Sequence, residues 1–381
     1  MDQNSARQMF ENGAFLVVLD APTGIEFGID LDTWETGPLF KGLKMIPPGI
    51  HYIHYSVVNN DKQAGIQSGF LHSFVSKEVV VRRWCAETEQ LYPSDHVSAE
   101  DVERIRMGIR DLDKGLGAYP LGSGPNDSYA RWQKLTGYIT PAMLAQLLPP
   151  NGEFSSATGS VYEDEEMEEA QKALHHATAE PPAALLDTTD RFNFTHSDIR
   201  RSFPANAPPE DIRKYSRDKS WLLKTLLSSR WHDNPQDLLG ELQLAFVIIF
   251  VGQNFSGLEH WKFLMHLTLC CAEALEDRVL VSRLFVPLVR VLCVQLAECP
   301  QEFAASVLEQ DNFIAVVLET LVLNVYECSA DEMRTIMEKE IGGLRKLLEE
   351  RFSWTLATGR QLQADADAED GEYAPQVIHL D

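Results

Sequence analysis

Apolar and polar positions partly alternate from Gly24 to Tyr55, and from Ser98 onward the spacing lengthens to that of helices. Phe15–Asp20 is a short apolar run closed by Ala-Pro-Thr-Gly, the pattern of a strand and turn. From Gly24 to Tyr55, Phe27, Ile29, Leu31, Phe40, Leu43, Ile46, Ile50, Tyr52 and Ile53 supply core positions. Pro38, Pro47 and Pro48 fix φ there and forbid a helix interior, so this stretch predicts short strands joined by tight turns. Phe70–Lys77 and Glu78–Cys85 read as two more strands that can pair as a hairpin. Ser98-Ala-Glu-Asp then opens a helix with a cap and first-turn acids, and Val102, Ile105, Ile109 and Leu112 fall on one face. Gly115 and Gly117 stop it, and Tyr129–Leu135 and Pro141–Leu148 form a second helical pair. Residues 1–150 thus predict a β-sandwich-like domain with added helices.

The pattern breaks over 151–190. Glu163-Asp-Glu-Glu-Met-Glu-Glu169 and Glu180-Pro-Pro carry too little apolar surface to offset ordering entropy, which predicts an acidic flexible linker. Residues 191–357 are helical in period. Pro209 opens a short helix, Asp218–Ser229 is amphipathic, and Asn234-Pro235 caps a helix running to Val251. That helix is apolar nearly all round in its second half and is ended by Gly252 and Asn254. Leu258–Leu275, Val279–Ala297 with a kink at Pro287, Pro300–Leu308, Asn312–Tyr326 and Ala330–Phe352 follow. Short connections make neighbours antiparallel, so the domain is an all-α bundle or stack. The fold class is therefore α+β in two domains. Residues 358–381 are an acidic spacer followed by Pro375, Gln376, Val377, Ile378, His379 and Leu380, a short extended peptide suited to strand addition.

The chain has 381 residues and a formal net charge of −24, which argues against direct contact with a nucleic-acid backbone and suits a basic protein partner. Its six cysteines form no CxxC pair and most lie in apolar helical runs, the usage of buried reduced thiols in an intracellular protein. The first residues lack the charged and apolar regions of a signal peptide, and the longest unbroken apolar run, Leu244–Val251, is far short of a membrane span. Without a secretory route, the sequons at Asn126, Asn193 and Asn254 are chance matches.

Candidate chemistry is sparse. Asp30 and Asp32 lie two apart and share a strand face, but no substrate-binding pattern accompanies them, so turn-forming aspartates before Trp34 are expected. His51 and His54 lack two further ligands nearby and read as packed or hydrogen-bonded; His260 and His266, among Trp261, Phe263 and Leu264, read as packing. Cys270 and Cys271 cannot both face one way on a helix. No phosphate-binding, zinc-protease or nucleophile-elbow motif is present, and no cofactor or metal is expected. A hydrolase using Asp30, Glu26 or His51 remains the alternative to a non-enzymatic role.

Several blocks resemble the AAR-two splicing-factor family. They are Glu26-Phe-Gly-Ile-Asp30, Trp34, Gly37-Pro38, Gly42 and Ile46-Pro-Pro-Gly-Ile-His51, then Asp237-Leu-Leu-Gly-Glu-Leu-Gln-Leu-Ala-Phe246, Glu259-His-Trp-Lys262, Gln310-Asp-Asn-Phe313 and the terminal Ala374-Pro375 with Val377, Ile378 and Leu380. The long acidic linker and His379, where family tails often carry an acid, depart from the pattern. The resemblance implies a VHS-like helical C-terminal domain and a non-enzymatic assembly factor of the U-five small nuclear ribonucleoprotein, in cytoplasm and nucleus. It implies binding to the RNase H-like and Jab-one/MPN-like domains of the Prp-eight scaffold, joined by strand addition of the tail, which holds off the Brr-two helicase until maturation.

The composition of 151–190 generates one prediction. Limited proteolysis should cut there first; first cuts inside Leu238–Leu275 would show that the segments are wrongly divided.

Overall fold

The computed structural model describes residues 10–57, 65–122, 127–150, 152–162, 191–199, 202–204, 206–300 and 313–364. The bulk of the expected linker, the expected helix at Pro300–Leu308 and the tail residues Pro375–Leu380 lie outside these. The protein is α+β, with a β-sheet domain first and helices after it. It divides into two compact units, 1–194 with Leu244–Leu258, and Thr195–Gln243 with the residues from Glu259 onward.

The first unit holds two five-stranded sheets. One has the order β8-β7-β1-β4-β9, from β1 (Ala14–Leu19), β4 (Gly42–Ile46), β7 (Val79–Cys85), β8 (Gln90–Leu91) and β9 (Leu116–Ala118). The other has the order β10-β6-β5-β2-β3, from β2 (Glu26–Ile29), β3 (Asp32–Glu35), β5 (Gly49–Ser56), β6 (Ser68–Phe74) and β10 (Glu153–Ser155). Leu16, Val18, Leu43, Ile46 and Trp84 of the first sheet meet Phe27, Ile29, Ile53, Tyr55 and Phe70 of the second in one buried cluster, so the sheets form a sandwich. Arg82 of β7 reaches across it: its guanidinium lies 4.4 Å from the Phe70 ring centroid and donates to Glu153 of β10 at 2.6 Å.

The hairpin expected of β6 and β7 does not form. β6 pairs with β5 and β10, whereas β7 runs parallel to β1, so the four residues between them carry the chain from one sheet to the other. A pair within one sheet would leave β1 without its second neighbour; local alternation reports a strand, not its partner. Helix α1 (Ala99–Met107) is capped by Ser98, whose hydroxyl accepts from Asp101 N–H. Val102 and Ile105 of this helix pack on the outer face of the β1 sheet with Ile109 and Leu112, which lie in the 3-10 turns Ile109–Gly115; the single helix expected as far as Gly115 is broken at Gly108. Helices α2 (Ser128–Thr136) and α3 (Pro141–Leu147) pack on the other sheet around Tyr52 and Leu71.

The expected linker begins too early. Phe154 is buried, β10 pairs with β6, and Ser160 bridges Phe192 in parallel, so residues 152–162 and 191–194 belong to the folded unit. Leu244, Val247 and Ile248 join the same cluster as Phe154, Phe192 and Trp132. Asn254 fastens this segment: its amide donates to the carbonyls of Ser155 (2.9 Å) and Thr158 (2.8 Å). Its Oδ1 accepts from Gly257 N–H at 3.0 Å, so the residue expected only to end one helix also caps the next, three residues earlier than the periodicity placed it.

In the second unit, α4 (Pro209–Arg217) and α5 (Ser220–Ser229) precede α6 (Pro235–Phe250), whose first half lies here. Asn234 opens α6 as expected, accepting from Gln236 N–H. Helix α7 (Phe255–Leu269) ends before Cys270 and Cys271, which are buried, free thiols beyond it. The stretch Arg278–Glu298 is long and apolar enough to cross a membrane by length and composition, and half of that window is buried here as a core helix. Within it, Val281–Phe285 is a π-turn just before α8 (Val286–Glu298), and Val286 N–H bonds to Val281 O. Pro287 lacks the donor an α-turn would need, so the backbone widens where a kink is expected. Helices α9 (Phe313–Glu327) and α10 (Asp331–Phe352) pack together, and α10 also packs along α8.

Candidate functional site

The first unit places Asp30 at the corner between β2 and β3 with φ of 56°, so it does form the expected turn. It is also only 1% exposed, and its carboxylate is enclosed by donors. His51 Nδ1 lies 2.6 Å from Oδ2, the Tyr119 hydroxyl donates to the same oxygen at 2.6 Å, and Tyr52 N–H donates to Oδ1 at 3.0 Å. The other ring nitrogen of His51 faces the Pro47 carbonyl at 2.9 Å. A carbonyl only accepts, so Nε2 carries a proton, and one further proton is shared between Nδ1 and Oδ2. The pair is neutral as a whole. Burial pushes the Asp30 carboxyl above the usual range, against the pull of His51, Tyr119 and the Tyr52 amide.

His51 is 1% exposed, and Tyr129 stacks on its ring with centroids 6.2 Å apart. Glu26 points to solvent at the far end of β2. Asp32 stands at the start of β3, two residues beyond that corner. The three residues of the hydrolase alternative therefore do not converge on a cleft: two share an enclosed hydrogen-bond network and the third is outside it. His54 is packed, stacked on Tyr52 with centroids 5.4 Å apart. Its ring lies where any side chain at Gly28 would be, 2.2 Å from such a Cβ, which explains a glycine in mid-strand. His54 Nε2 has no hydrogen-bond partner among the described residues, and burial lowers the imidazole pKa to about 4. No group of three His, Cys, Asp or Glu side chains among the described residues is placed to hold a metal.

Sequence reasoning missed the hub of the second unit, Glu241. It is 2% exposed on α6, among Leu238, Leu242 and Ala245. Its Oε1 accepts from Thr195 N–H (2.8 Å) and His260 Nε2 (2.8 Å), and its Oε2 from Trp231 Nε1 (2.8 Å) and the Thr195 hydroxyl (3.0 Å). Burial alone would raise its pKa, but His260 and the other donors outweigh it and hold the carboxyl below the ordinary range. His260 is thus a hydrogen-bond partner and not mere packing. Next to it, Trp261 donates to Gln295 at 3.0 Å, and Gln295 donates to Leu242 O at 3.3 Å. The signal was available: Glu241 lies three residues after Leu238 on the buried stripe of α6, where a charge needs partners.

Two sequence blocks thus meet at one site, Asp237–Phe246 through Glu241 and Glu259–Lys262 through His260 and Trp261. Comparison with known proteins bears on what such blocks mean. Residues 12–149 match the family model described as the AAR2 N-terminal domain, and residues 194–357 match the AAR2 C-terminal repeat region. The chain is 34% identical to the protein AAR2 homolog of Mus musculus, over all of this chain and 97% of that one. It is 33% identical to its Homo sapiens counterpart over the same shares. Similarity extends, at 21% identity over 94% of this chain and 96% of the other, to the A1 cistron-splicing factor AAR2 of Saccharomyces cerevisiae.

Glu241→Ala leaves four donors facing a buried void and should cost about 3–5 kcal/mol in chemical denaturation, whereas exposed Glu349→Ala should stay within about 0.5 kcal/mol. A loss under about 1 kcal/mol at Glu241 would mean the hub contributes little. His54 gives a pH signature. Its folded pKa is depressed, so its contribution is complete above the ordinary 6.5 and is lost as pH falls toward about 4. His54 should contribute a drop of about 2 kcal/mol between pH 7 and pH 5, read as the difference in pH dependence between the unaltered chain and His54→Leu. Glu241 does not confuse the reading, because its carboxyl titrates below its ordinary value of 4.5.

Proposed function

The chain belongs to the AAR2 family, and from that premise we propose that it is a non-enzymatic splicing factor that assembles the U-five small nuclear ribonucleoprotein. In this reading it binds the Prp-eight scaffold at its RNase H-like and Jab-one/MPN-like domains and holds off the Brr-two helicase until maturation, working in cytoplasm and nucleus. The observation that carries the proposal is similarity along the whole chain, in both domains, to AAR2 proteins, one of them named a splicing factor. The formal net charge of −24 suits a factor that contacts protein and leaves the RNA backbone to others.

The hydrolase alternative has one observation in its favour, the 2.6 Å approach of His51 to Asp30. Both groups are 1% exposed and spend their polar atoms on each other, on Tyr119 and on main chain, so a substrate has no atom to meet. Partner contact is assigned instead to Pro375, Gln376, Val377, Ile378, His379 and Leu380. A lone short strand cannot satisfy its own backbone groups, and a partner sheet edge supplies them. Period two puts Val377 with His379 on one face and Ile378 with Leu380 on the other.

Deleting the residues after Gly371 should weaken binding to a Prp-eight fragment carrying both domains in a pull-down, with both domains still folded in thermal denaturation. A drop of several degrees with scaffold binding unchanged would make the tail a structural element and remove this assignment.

A further inference from the structure

The second unit carries a cavity of about 360 Å³ between α9, α10 and the segment after α10. Val322, Val325 and Ile341 make its apolar floor, and Tyr326, Arg345 and Arg360 stand around it with one carboxylate, Glu338. The far wall is pinned in place. Arg345 Nε donates to Leu356 O at 2.9 Å and its Nη2 to Ala357 O at 3.3 Å, while Leu356 is buried. At Gly359 the backbone lies directly on Tyr326, where a Cβ would come within 2.2 Å of that side chain. Thr358 then starts a helical turn over 359–364, its N–H and hydroxyl bonded to Gln361. Between these contacts the wall leaves a space against the two helices that is an order of magnitude larger than one water needs.

What lies beyond this wall identifies an occupant. The chain leaves it at Ala364 with 17 residues still to come, 381 minus 364. The first of these carry Asp365, Asp367, Glu369, Asp370 and Glu372 and no lysine or arginine; the last carry Val377, Ile378 and Leu380. Acid near the wall and apolar residues further on complement a cationic rim over an apolar floor. Arg345 is committed to the wall carbonyls, but Arg360 is exposed and makes no ion pair with a described residue. Thirteen residues from Ala364 to Val377 span about 20 Å as a coil, so the tether holds the apolar end near the cavity at roughly millimolar concentration.

We propose that this groove is the resting site of the chain's own C-terminal peptide. Ile378 and Leu380, two apart and on one face when extended, enter the cavity, and the acidic spacer passes Arg360. The groove therefore competes with any other taker of the peptide. The docking involves this chain alone and stands or falls separately from the partner assigned above.

The test uses the full chain. A photo-crosslinking amino acid in place of Ile378 should label residues 322–326 or 338–345 within the same molecule. Labelling elsewhere, or only between copies, overturns the proposal. In parallel, a fluorescent peptide of residues 365–381 should bind the Ile378→Asp/Leu380→Asp chain about ten-fold more tightly than the unaltered chain, whose groove is filled. Arg360→Glu in the doubly altered chain should weaken that binding several-fold. Equal affinity for the two chains, or binding to neither, overturns the proposal as well.

Discussion

A carboxylate taken out of water must be met by donors or give up its charge, and Glu241 is met four times. The donors come from three places in the sequence: Thr195 before the helices begin, Trp231 in the turn ahead of α6, and His260 on α7. Each is fixed because it serves the same two oxygens. The hub thereby sets where α6 begins relative to α7, and Trp261 and Gln295 extend the constraint to α8 and back to the Leu242 carbonyl.

The first unit solves the same problem differently. Asp30 takes its donors from a neighbouring strand, β5, and from Tyr119 just past β9 of the opposite sheet. A proton shared with His51 keeps the pair neutral, so the sandwich carries a polar link between its two sheets without an isolated buried charge. Such links specify geometry that apolar packing alone tolerates loosely. They also consume the groups that would otherwise look catalytic. Chemistry-bearing residues in the family blocks, Asp30, His51, Glu241 and His260, therefore maintain the architecture.

The units are not contiguous in sequence. Leu244–Leu258 packs with the sandwich domain because Leu244, Val247 and Ile248 find Phe154, Phe192 and Trp132 there, and because Asn254 bonds to Ser155 and Thr158. The second half of α6, apolar nearly all round, needs cover on every side, and it belongs to the first unit while the first half belongs to the second.

By itself the sequence determined the element types. The partial alternation in 24–55, the Ser98 and Asn234 caps, the stripe from Val102 to Leu112 and the effect of Pro287 are all local physics, and local physics acts within a few residues. The ordered family blocks carried the identity for the same reason, since they can be read without knowing what touches what. Tertiary structure alone decided the pairing of β7 with β1 instead of β6, the inclusion of 152–162 in the first unit, the double duty of Asn254, and the meeting of Glu241 with His260. Each of these joins residues through partners distant along the chain or through a donor that any of several positions could supply. A strand's alternation is the same whichever neighbour it has, and a glutamate in an apolar stripe announces that it needs donors without naming them.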